Sequence, residues 1–171
     1  MKWKDRLLKS LQSKLVSDDV WKDFIAKING PSPEITLHLA VFTEPILGKL
    51  LAGKKTLESR FSSNKVTPYG RVKKGDIVVV KKSGGPVVAI FIAGTVKKYH
   101  DLTPDQIIYF RDELSDKLGL STDDIFWSEK SNSKYATFIN VTHMKQLIPF
   151  SVDKKDRTAW TIVKEQRNEM F

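Results

Sequence analysis

A chain of 171 residues with 40% apolar and 10% aromatic side chains can bury the core of one ordinary domain. It has no cysteine, which excludes disulfides and thiolate chemistry, and no apolar run near the ~18 residues a membrane helix needs. The net charge of +9 is uneven: Gly53–Lys82 holds nine Lys/Arg against two acids, whereas Asp101–Asp124 holds seven acids against two bases.

A basic stretch of that density suits a polyanion whose phosphates it can neutralise. A soluble basic protein with no such partner has the same composition. The N-terminal MKWKDRLLKSLQSK is amphipathic and basic, without the continuous apolar segment and cleavage site of a secretory signal. A cytoplasmic location is expected, with no membrane partner.

Residues 3–29 read as two short helices. Leu7, Leu8, Leu11 and Leu15 recur at helical spacing, and Ser17 is the expected N-cap of the second helix, whose apolar face is Val20, Trp21, Phe24, Ile25 and Ile28. Gly30, Pro31 and Pro33 mark a linker. In EITLHLAVF, Ile35, Leu37, Leu39 and Val41 alternate with polar or small residues, which predicts a half-buried strand. Thr43 is expected to cap a short helix that ends at Gly53, and residues 55–61 read as the next strand.

After a loop over 62–75 come DIVVVKK and VVAIFIAGTVKKY, two β-rich runs joined by the turn Ser83-Gly84-Gly85-Pro86. Thr103 and Pro104 open a helix that stops at Gly119, and Ser121 is the expected cap of another through Trp127. KYATFINVTHMKQLIPF is one long strand or two, RTAWTIV is the last strand, and the tail from Lys164 is helical or frayed. Short strands in this number with small helices inserted, and no βαβα alternation, predict an α+β fold: a small β-barrel decorated with short helices, plus an N-terminal helical pair over residues 1–30.

The chemistry concentrates in "LLAGKKTLESRF", residues 50–61. Gly53 is a helix C-cap, so Lys54 and Lys55 sit in the turn. Alternation then puts Thr56, Glu58 and Arg60 on one strand face and Leu57, Ser59 and Phe61 on the other. Leu57 and Phe61 read as core. Glu58 and Arg60 are close enough to pair, either as a solvent-exposed ion pair of little energetic weight or as the wall of a pocket where Arg60 holds a carboxylate or phosphate. Lys55 is expected as an exposed, unpaired charge that reaches such a pocket from the turn.

GKKTLESR at 53–60 resembles the signature of the ASCH (activating signal cointegrator homology) domain family, an apolar helix followed by G-x-K-T-x-E-x-R. Val72-Lys73-Lys74-Gly75-Asp76-Ile77 is similar to that family's strand entry, and residues 86–96 to its central hairpin. The resemblance spans roughly residues 35–163, leaving 164–171 as a tail. It implies a PUA-like β-barrel whose basic cleft binds RNA or a nucleoside-like ligand through Lys54, Lys55, Glu58, Arg60 and Lys74. Trp160, Tyr69 and Tyr99 are candidates to stack on a splayed base. It also leaves open a hydrolase on the same cleft, a ribonuclease or a modified-nucleoside amidohydrolase, with Lys55 and Glu58 as the catalytic pair. One branch hydrolyses N4-acetylcytidine with the motif lysine and a threonine three residues later; here Glu58 stands at that threonine's place. His38, His100 and His143 lack metal-ligand spacing, so no metal or other cofactor is expected, and His38 and His143 read as structural.

Overall fold

The computed structural model describes residues 2–167. In chain order they form α1 (Trp3–Leu15), α2 (Trp21–Ala26), β1 (Leu37–Phe42), α3 (Ile46–Leu51), β2 (Leu57–Ser62), β3 (Ile77–Lys82), β4 (Val87–Tyr99), α4 (Pro104–Leu118), α5 (Ile125–Glu129), β5 (Tyr135–Phe150) and β6 (Trp160–Lys164). The chain divides into two compact units. The first is Met1–Phe42, Gly75–Phe91 and Lys145–Phe171; the second is Thr43–Lys74 and Ile92–Met144. The strands form a mixed sheet, and with the helices this is the expected α+β class. No helix among the described residues is long and apolar enough to cross a membrane.

In the first unit the strand order is β4-β3-β1-β6. β1 runs parallel to β3, from Leu37↔Ile77 to Phe42↔Lys82, and antiparallel to β6, where Ala40 faces Trp160. A parallel pair needs a long crossover, which here is residues 43–76, of which 43–74 belong to the second unit. β1 is buried on both faces, with His38 and Ala40 as inaccessible as Leu37 and Leu39. The half-buried expectation is corrected: a strand with neighbours on both edges and cover on both faces shows no clean alternation.

Helices α1 and α2 belong to this unit's core, burying Leu7, Leu11, Leu15, Trp21 and Ile25, with Ile28 after them. Ion pairs tie them on, Asp18 to Lys145 at 2.9 Å and Arg6 to Asp153 at 3.7 Å. Asp18, and not Ser17, caps α2: its carboxylate accepts from the N–H of Val20 and Trp21. Of the tail, residues 165–167 are not helical; Gln166 N–H donates to Thr36 Oγ1 and Arg167 N–H to Pro33 O. The remainder of that expectation lies outside the described residues.

In the second unit the order is β2-β5-β4, with β2 antiparallel to β5 from Leu57↔Asn140 to Ser62↔Tyr135. Helix α4 packs on one face of this sheet. Its Phe110 and Leu118 join Leu57, Phe138 and Trp127 in a cluster that Phe61 and Tyr99 flank. α4 is delimited as read: Thr103 and Gln106 form a capping box, Pro104 opens the helix and Gly119 (φ 75°) closes it. The two weaker cap assignments are corrected. Glu44 accepts from Gly48 N–H at α3, and Asp124 accepts from Phe126 N–H at α5, because carboxylates reach the free amides that Thr43 and Ser121 do not.

Candidate functional site

Gly53 adopts φ 75° and ends α3. The chain then folds back, so that the N–H groups of Lys54 and Lys55 both donate to Lys49 O, at 2.9 and 3.2 Å. That tight turn aims Lys55 inward. β2 begins two residues later with the expected alternation: Leu57 and Phe61 face α4, and Glu58 and Arg60 share the other face. Glu58 is buried between two cations. Lys55 Nζ lies 3.7 Å from Oε1 and an Arg60 guanidinium nitrogen 3.7 Å from Oε2. The N–H of Ser59 donates to Oε1 at 2.7 Å. Oε2 accepts no hydrogen bond among the described residues.

Lys55 is not the exposed, unpaired charge expected from alternation. It is 4% exposed, and its ammonium donates to Leu118 O at 3.0 Å. It is one of three groups from residues 49–56 that meet the end of α4. Thr56 N–H donates to Lys117 O at 2.9 Å, and Lys49 Nζ to Gly119 O at 2.6 Å. Three successive carbonyls at the helix C-terminus thus find donors, two of them cationic, where the macrodipole favours positive charge. Burial holds the Lys55 ammonium below its ordinary pKa; Glu58 opposes that shift, and Arg60 and Lys49 add to it.

The other residues singled out in the sequence lie apart from this cluster in exposure or in unit. Lys54 and Lys74 are exposed in the second unit. Tyr69 lies edge-on to Tyr135 at 5.0 Å, with the ammonium groups of Lys65 and Lys98 over its ring; Tyr99 packs against Phe110. Trp160 is in the first unit, buried, and its indole N–H donates to His38 Nδ1 at 3.0 Å. His38 therefore carries its proton on Nε2, which donates to Asp76 Oδ2 at 2.9 Å. Asp76 also accepts from Thr36 N–H. This buried network explains the aspartate of the KKGD strand entry: it braces β1 against β3. Nothing in the sequence linked His38, Asp76 and Trp160, which are up to 122 residues apart. No cluster of metal-ligating side chains occurs among the described residues.

The mixed sheet with its inserted helices has the fold of a solved ASCH protein. The chain is similar to the solved structure of the ASCH protein of Zymomonas mobilis, with a TM-score of 0.58 and 10% identity over 74% of this chain and 86% of that one. Two single-substitution variants of that protein give 0.57 each. Their identities are 9% and 11%, over 74% and 75% of this chain and 88% and 89% of theirs. No protein-family model matches the sequence, and neither does any curated protein.

Proposed function

We propose that this protein is an RNA- or nucleotide-binding module whose ligand site is built on the GKKTLESR motif. The observation that carries the reading is the buried Lys55–Glu58–Arg60 cluster. Removing charges from water carries a desolvation penalty of several kcal/mol per ion, and apolar side chains of similar volume often serve a fold as well or better. A buried cluster that also leaves a carboxylate oxygen without a hydrogen bond reads as a site, by the association of perturbed ionisable groups with function. The PUA-like fold and the basic run from Lys54 to Lys74 support a nucleic-acid ligand. Arg60 is the partly exposed member, with the fork geometry to take a phosphate or a base edge. Lys54 and Lys74 would add sequence-independent phosphate contacts.

The test is fluorescence anisotropy with single-stranded RNA oligomers across a salt series. Log affinity should fall linearly with log salt, with a slope near −0.7 per phosphate neutralised. Lys54→Ala and Lys74→Ala should each flatten that slope by about one contact. Undetectable binding at low salt would refute the reading.

A second reading, a hydrolase on the same site, is favoured by one observation. Lys55 has its proton affinity lowered beside a carboxylate, the kind of tuning acid–base chemistry uses.

A further inference from the structure

Residues 57 and 140 are register partners, as are 59 and 138, so Leu57, Phe138 and Asn140 share the sheet face that α4 covers. The cover is incomplete. A pocket of about 220 Å³ opens there within the second unit, between the ends of α4, β2, β4 and β5. It lies on the opposite face of β2 from Glu58 and Arg60.

Phe110 and Phe138, with ring centroids 4.8 Å apart, and Tyr99, 5.0 Å from Phe110, form its apolar wall. At the mouth stand Lys97, Lys117 and Asn140, all exposed, and Tyr109, which is 61% exposed. No carboxylate lines the pocket.

We propose that this pocket is a second binding site, one that takes a nucleotide: a planar base against the aromatic wall and its phosphate on Lys97 and Lys117. The volume is below the ~300–1,000 Å³ of sites for drug-sized ligands, so it holds one ring system. Aromatic side chains accept any base by stacking. The Asn140 amide offers a donor and an acceptor to a base edge, which an alkyl chain would leave unused. Two ammonium groups in a lining that holds no carboxylate fit an anion on that ring. The source is a free nucleotide or one residue of a strand, and only the second depends on the RNA-binding reading above.

The experiment uses the full chain and amide correlation spectra, titrated with adenosine and cytidine 5′-monophosphates, inorganic phosphate and a single-stranded RNA 10-mer. Both nucleotides should shift the amides of Lys97, Tyr99, Tyr109 and Asn140. Lys97→Ala with Lys117→Ala, both at exposed side chains, should weaken nucleotide binding about tenfold or more, as should Tyr109→Ala. Saturation by inorganic phosphate with equal affinity would overturn the proposal, because the base would contribute nothing. Nucleotide shifts confined to residues 54–60, or none, would overturn it too. If nucleotides fill the pocket while the 10-mer binds nowhere, the pocket stands and the RNA reading falls. If the 10-mer binds and the nucleotides leave the pocket unmoved, the reverse holds.

Discussion

Lys55 serves the fold and the proposed site with one ammonium group. It balances a buried carboxylate and caps α4. Removing one partner of a buried ion pair strands the other, so Lys55→Ala is expected to cost about 3–5 kcal/mol, read as a lower midpoint in urea. The sign of the pH dependence follows from its lowered pKa. Between that value and the ordinary 10.5 the unfolded chain binds the extra proton, so stability rises with pH across this window. The stability difference between wild type and Lys55→Met should therefore widen from neutral pH toward 10.5. A flat difference would place the ammonium in a water-like environment. Glu58→Gln and Arg60→Ala, whose side chains form an ion pair, should be non-additive in RNA affinity. The wild-type protein is expected to leave N4-acetylcytidine intact, since Glu58 stands where the resemblance implies a threonine; cytidine released at a useful rate would show that another group or an activated water attacks.

At the scale of elements, the signals that proved sound were local. Thr103, Pro104 and Gly119 bound α4 because capping chemistry acts within one turn. β2 alternates as read because its two faces meet different surroundings. What the sequence concealed was set by distance along the chain. The carbonyl that receives Lys55 belongs to Leu118, 63 residues away, and the paired edges of β1 depend on strands that arrive much later. Side-chain reach also misled: at α2 and α5 a neighbouring aspartate displaced the serine as cap. Asp18→Ala should therefore lower the thermal midpoint of the first unit, whereas Ser17→Ala should be close to neutral. Comparison of their thermal midpoints separates the two assignments.

At the scale of the whole molecule, the N-terminal helices bury their apolar faces in the first unit. With Ile28 just after them, six side chains from Leu7 onward are at most 4% exposed. At about 1.5–3 kcal/mol for each large side chain buried, together they exceed ~9 kcal/mol. A chain truncated before Gly30 is expected to lose the fold of the first unit, seen as collapsed dispersion of the β1 and β3 amides. Persistence of those signals would return the helices to an accessory role.

The bonds between the motif segment and the end of α4 also bear on how the second unit breathes. Lys117, Leu118 and Gly119 each hand their carbonyl to a donor from residues 49–56, so neither segment can fray without releasing the other. Hydrogen exchange should find the amides of Thr56, Gly119 and Leu120 leaving protection together, with one opening free energy. A ligand that drew the Lys55 ammonium away from Leu118 would speed all three at once, although only one of them lies in the motif.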